Sequence, residues 1–126
     1  MQLIRNAIQT PDGTIIESLH RHDYVTYEDA NGKTYMVDGG LAYARRSVHT
    51  DQVDMNEYTD VPHERQREVL TWGTYGKDGN QPLSYVCIGD METGHLEAVL
   101  AMRGLCSVRR TCMEEELRLR TAAEDF

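Results

Sequence analysis

The chain has 126 residues, enough for one domain with a modest core, and its 40% hydrophobic and 27% charged content is that of a folded, soluble protein. A formal net charge of −8 excludes general affinity for nucleic-acid backbones, because a polyanion would be repelled before any site engaged it; a small anionic ligand is not excluded. The three cysteines, Cys87, Cys106 and Cys112, show no CxxC spacing, and no apolar run reaches the length of a membrane span. Reduced structural thiols in a cytosolic protein are expected, and the N-terminus lacks the apolar stretch of a signal peptide.

The first half reads as an antiparallel β-meander. Gln2 to Ile8 is a strand, and Thr10-Pro11-Asp12-Gly13 is a turn, with proline pre-set for the first central position and glycine free to take positive φ. Thr14 to Leu19 is its partner. His20-Arg21-His22-Asp23 separates it from a strand over Tyr24 to Glu28, and Asp29-Ala30-Asn31-Gly32 is a hairpin loop from which Lys33 to Val37 returns with the same period of two. Asp38-Gly39-Gly40 breaks the pattern. Leu41 to Ser47 is either a strand or the start of a helix, and the acidic, aperiodic residues 49 to 60 read as a surface loop.

In the second half the spacing predicts a helix from Asp60, as N-cap, through Val61, Val69, Leu70 and Trp72 to a stop at Gly73. Leu83 to Ile88 is a strand. Thr93 is expected to cap a second helix with Leu96, Val99 and Leu100 on one stripe, and Gly104 to Arg110 is a break or short strand. Thr111 with Glu114 gives a capping-box signal for a last helix from Cys112 to about Ala122, its glutamates early and Arg118 and Arg120 late, as the macrodipole favours. The fold class is therefore α+β: an N-terminal antiparallel meander, then helix, strand and C-terminal helices, as one domain over residues 1 to 126.

The stretch from Thr71 to Tyr85 concentrates the only Trp, two tyrosines, three glycines and a proline. Glycine lets the main chain approach a ligand, aromatic faces stack on bases, and Lys77 adds a cation. Trp72 and Tyr75 are thus candidates to hold a planar ligand, with Trp72 alternatively a plug in the core. Arginines outnumber the two lysines, Lys33 and Lys77, and arginine suits phosphate contacts and base stacking. The doublets Arg45-Arg46 and Arg109-Arg110 each want carboxylates or a phosphate, and in a strand only one member of a doublet faces a given site.

His20 and His22, alternating on a strand, share one face, but no clear third metal ligand accompanies them, so no metal site is assigned. His95, with Glu97 beside it, lies in the first turn of its helix, where it meets the ligand or the central turn or else has a hydrogen-bonded structural role. No activated serine or cysteine and no Walker or Rossmann fingerprint occurs, so no catalytic residue is assigned.

The segments NAIQTPDGTIIESLHRHDY, DANGKTYMVDGGLAYARRS, LTWGTYGKDGNQPLSYV and GHLEAVL, in this order, resemble the Thoeris anti-defence sponges, a family of small phage proteins. The similarity covers most of residues 6 to 101. It implies a protein without enzymatic activity or cofactor that binds and sequesters cyclic ADP-ribose isomers made by the host's TIR enzyme, and in some members cyclic oligonucleotides, in the cytoplasm of the infected bacterium. Homo-oligomers, a dimer or a trimer of dimers with ligand sites at subunit junctions, are implied as well. By this resemblance Tyr75 or Trp72 stacks the base, and Arg45, Arg46, Arg109 and Arg110 are the candidate phosphate contacts, with Ser107-Val108-Arg109-Arg110 departing from the family pattern. A sponge needs stacking and guanidinium groups and no nucleophile that would consume its ligand. The alternatives are a small phosphodiesterase or nucleotide hydrolase using His20, His22 and Asp23, and an interaction module that blocks a host factor through the acidic loop and helices.

Overall fold

Turn chemistry sets the architecture of the N-terminal strands. In the computed structural model, which describes residues 1–76, 78–105 and 107–124, β1 (Leu3–Gln9) and β2 (Ile15–Ser18) pair antiparallel, with Gln9 opposite Ile15. Gly13 closes their turn at φ +90°, its N–H donating to the Thr10 carbonyl. The Asp12 carboxylate accepts hydrogen bonds from the Thr10 hydroxyl, the Tyr27 hydroxyl and the Thr14 N–H. Those bonds hold its pKa well below the usual carboxylate range.

β3 (Val25–Glu28) and β4 (Thr34–Asp38) form the second hairpin, in which Asp29 Oδ1 accepts from the N–H groups of Asn31 and Lys33. The antiparallel run is thus present, divided between two sheets. One has the order β2-β1-β6, β6 being Val53–Asp54, with β7 (Glu57–Tyr58) also on β1; the other has the order β3-β4-β5, β5 being Arg45–Arg46. Side-chain alternation turns Ile8, Ile16, Tyr35 and Val37 into one buried cluster, flanked by Val25 and Tyr27.

Two expectations for this half are corrected. Of the run Leu41 to Ser47 only β5 (Arg45–Arg46) is strand, because Gly39 and Gly40 take positive φ and the chain turns through residues 40 to 43 before it can pair. Residues 49 to 60 are not merely a loop: β6 (Val53–Asp54) and β7 (Glu57–Tyr58) both pair with β1. Two-residue strands are too short to show alternation. Much of their register comes from other bonds, the Ala7 N–H donating to Asn56 Oδ1 and the Met55 N–H donating to the Ala7 carbonyl.

The chain forms two compact units, Met1–Asp60 and Val61–Phe126. The second begins with α1 (His63–Val69), whose N-cap is Pro62 and not Asp60. Proline suits a helix entrance because its missing N–H would have had no helical partner. The helix ends before Trp72: Leu70 is already extended, and Trp72 and Gly73 lie in β8 (Thr71–Thr74), paired with β9 (Ser84–Cys87) so that Trp72 faces Val86 and Gly73 faces Tyr85. The supposed helix end is a β-hairpin.

A 3-10 turn, Ile88–Asp90, leads to α2 (Thr93–Leu100). The cap position is Glu92, not Thr93, whose hydroxyl instead accepts a hydrogen bond from Arg120. α3 (Ser107–Glu124) begins earlier than the capping-box signal places it, so Thr111 and both Arg109 and Arg110 are helical. The stripe Val108, Cys112, Met113 and Glu116 faces inward and extends the helix toward its N-terminus; Gly104, at φ +78°, breaks the chain before it. Val69, Leu70, Ile88, Met91, Leu96 and Val99 complete the buried apolar set of this unit. The fold class is α+β, and no helix among the described residues is long and apolar enough to cross a membrane.

Candidate functional site

The two units divide the sequence-predicted ligand residues between them. Arg45 is exposed on β5, opposite Asp38, and its side chain makes no hydrogen bond or ion pair among the described residues. Its neighbour Arg46 is committed inside its own unit. It donates to Asp54 Oδ1 at 3.0 Å, to Asn6 Oδ1 at 3.1 Å and to Asn56 Oδ1. Asn6 is fully buried and donates in turn to the carbonyls of Asp38 and Gly40, so Arg46 completes a polar network under the strands.

His20, His22 and Asp23, the residues of the hydrolase alternative, lie between β2 and β3 and not on a strand. Asp23 accepts the Leu19 N–H at 2.8 Å, the Ser18 hydroxyl donates to the Asp23 carbonyl at 2.7 Å, and His20 Nδ1 accepts the His22 N–H at 3.1 Å. No group of three His, Cys, Asp or Glu residues among the described residues could hold a metal ion.

In the second unit, Trp72 is half-buried on β8, whereas Tyr75, just beyond the strand, is 56% exposed. Lys77 and Cys106 lie outside the described residues. Cys112 is buried and its thiol is pushed up to about 11 by desolvation and by the charge of Glu116, which makes it a packing residue at neutral pH. Arg109 donates through Nε to the Thr71 carbonyl at 2.9 Å, and Arg110 donates to the carbonyls of Leu100 and Met102 at 3.2 and 3.0 Å, satisfying the end of α2. Each still has guanidinium donors that these bonds do not use.

A cleft of about 540 Å³ opens beside the hairpin. Thr74, Gly76 and Val86 line it from the hairpin, and Asp90, Met91, Glu92, Gly94 and His95 line it from the 3-10 turn and the start of α2. Tyr75 stands in sequence between two of these lining residues, and the volume lies in the range of small-molecule sites. Chemically the cleft offers an apolar floor, two carboxylates that accept hydroxyl groups, and an imidazole. His95 shares the lining of this cleft with Thr74 and Gly76 of the hairpin; Asp90 and Glu92 carry no periodic or motif signal that would have marked them.

Behind the cleft wall sits a buried carboxylate. Glu116 is 3% exposed and accepts Arg67 Nε at 2.7 Å, Arg120 Nε at 2.9 Å and a contact from His63 Nε2 at 3.0 Å. These partners, Arg67 first, hold its pKa down to about 2 against the opposing effect of burial. The same two arginines reach the wall: Arg67 and Arg120 both donate to the Gly89 carbonyl at 3.1 Å, and Arg120 also donates to the Met91 carbonyl at 2.7 Å. The i,i+4 spacing of Glu116 and Arg120 is readable in the sequence; the long-range partner Arg67 is not.

No protein-family model, curated protein or solved structure matches this chain.

Proposed function

We propose that this protein binds and sequesters a cyclic ADP-ribose isomer without cleaving it, as a phage anti-defence protein acting in the cytoplasm of an infected bacterium against TIR-derived immune signals. The observation that supports the reading is the exposure of Tyr75 between Thr74 and Gly76, two residues that line a cleft of about 540 Å³. Tyr75 stacks the base. Asp90 and Glu92 repel phosphate and accept hydroxyls, so the ribose enters the cleft and the pyrophosphate stays outside it, toward guanidinium groups.

Among the candidate arginines, Arg45 has the least internal engagement and Arg46 the most. Arg109 and Arg110 contribute through the donors they do not use within the chain. A ligand with a base, two sugars and a pyrophosphate exceeds what one face of a protomer encloses, so sites completed between copies of the chain, in a dimer or a trimer of dimers, belong to the same reading. The test is to incubate the protein with a cyclic ADP-ribose isomer, remove free ligand, and heat the protein. Intact ligand recovered from the denatured sample supports sequestration, whereas cleaved product supports a hydrolase.

A further inference from the structure

The cleft wall from Gly89 to Thr93 is held from behind by charge, and that arrangement is hard to account for by stability alone. Arg67 comes from α1 and Arg120 from α3, yet both guanidinium groups converge on the Glu116 carboxylate and on one carbonyl, that of Gly89. Arg120 continues along the wall to the Met91 carbonyl and the Thr93 hydroxyl, at 2.7 and 3.2 Å. Gly89 leaves the room this needs. A Cβ built there would stand 2.8 Å from the Arg67 guanidinium carbon, so any side chain would push the clamp away from the wall.

The Glu116 carboxylate is buried while the Arg67 side chain stays 38% exposed, and replacing a buried ion pair by well-packed apolar side chains of the same volume is often neutral for stability, because desolvation offsets the attraction. What apolar side chains cannot do is donate to fixed carbonyl oxygens. The wall carries the bonds to the clamp through Gly89, Met91 and Thr93, and it lines the cleft with Asp90, Met91 and Glu92.

We infer that Arg67 and Arg120, tied together by Glu116, are positioning residues that fix the Asp90 and Glu92 carboxylates at the cleft before a hydroxyl-bearing ligand arrives. This rests on the reading of the cleft as the ribose-binding part of a nucleotide site. Pre-organisation of this sort raises affinity by removing the ordering cost from the binding step.

The experiment compares wild type with a triple variant, Glu116→Leu, Arg67→Met and Arg120→Met, and with the single variant Arg120→Lys. Thermal unfolding, amide hydrogen exchange of residues 89 to 93 and titration with a cyclic ADP-ribose isomer are read on each. A folded triple variant with a thermal midpoint near that of wild type, faster exchange across residues 89 to 93 and affinity weakened by roughly tenfold or more bears out the inference. Affinity within about twofold of wild type overturns it while leaving the ligand reading intact. Should the triple variant not fold, Arg120→Lys, which keeps a charge for Glu116 but cannot also reach both carbonyls, carries the same two outcomes. Should wild type itself not bind the nucleotide, the reading of the site falls and the inference with it.

Discussion

Arg109 on α3 donates through Nε to the carbonyl oxygen of Thr71 at 2.9 Å, immediately before Trp72 in β8. The residue therefore holds the aromatic hairpin, whatever else it contacts. A partly buried hydrogen bond from a charged donor contributes about 1.5 to 3 kcal/mol. Arg109→Ala is expected to lower the stability of the ligand-free protein by an amount in that range, measured by urea denaturation. An unchanged denaturation midpoint would mean that the guanidinium serves a ligand alone.

Tyr75 is expected to behave in the opposite way. Its ring is 56% exposed, so truncation removes little buried area. Base stacking on an aromatic side chain contributes about 1 to 3 kcal/mol in single-stranded nucleic-acid sites. Tyr75→Ala should weaken nucleotide binding by a corresponding factor in calorimetry and leave the thermal midpoint of the free protein in place. A large fall in that midpoint would identify the ring as packing.

Acid sensitivity follows from Glu116. Its carboxyl is held down to about 2, against 4.5 for an unperturbed glutamate, first by the bonds from Arg67. A depressed folded-state pKa means that the stabilisation is fully present above the unfolded value and is lost as pH falls from about 4.5 through about 2; the size is on the order of a few kcal/mol. Trp72 fluorescence against pH should show that loss in wild type, and Glu116→Gln should be less stable at pH 7 and flatter across the same window. Identical profiles for the two proteins would remove Glu116 as the cause.

How much of this was readable in the sequence depended on whether the signal was local. The two N-terminal hairpins were legible because Gly13 and Gly32 sit where positive φ is required and the flanking residues alternate. β6 and β7 were not, since each pairs only two residues and their register is set by β1, more than forty positions earlier in the chain. Trp72 was read as helical because helix-start signals at Asp60 and Pro62 precede it and Gly73 is the first residue to break the run, while the strand is decided by pairing with Val86. The start of α3 was missed because Thr111 and Glu114 mimic a cap while Val108 buries one turn earlier. Tyr75 was singled out from the glycine-rich stretch and Arg109 from its doublet with Arg110, yet the cleft carboxylates and the clamp behind them exist only through long-range contacts.

Gly40 gives a test confined to the first unit. It takes φ +52°, and a Cβ there would lie 2.5 Å from the His20 carbonyl carbon, while its N–H donates to the Ser18 hydroxyl and its carbonyl accepts from Asn6. Gly40→Ala combines backbone strain with a collision against main chain, and a loss of more than about 2 kcal/mol is expected in urea denaturation. A loss below about 0.5 kcal/mol would show that the turn relaxes freely around an added side chain.

The most direct test of the central claim is calorimetric titration of the purified protein with a cyclic ADP-ribose isomer, followed by mass spectrometry of the ligand released on heating. Saturable binding at micromolar concentration or tighter, with the ligand recovered intact and its affinity reduced by Tyr75→Ala, is the expected result. Absence of binding at that concentration, or recovery of a hydrolysed product, would contradict it.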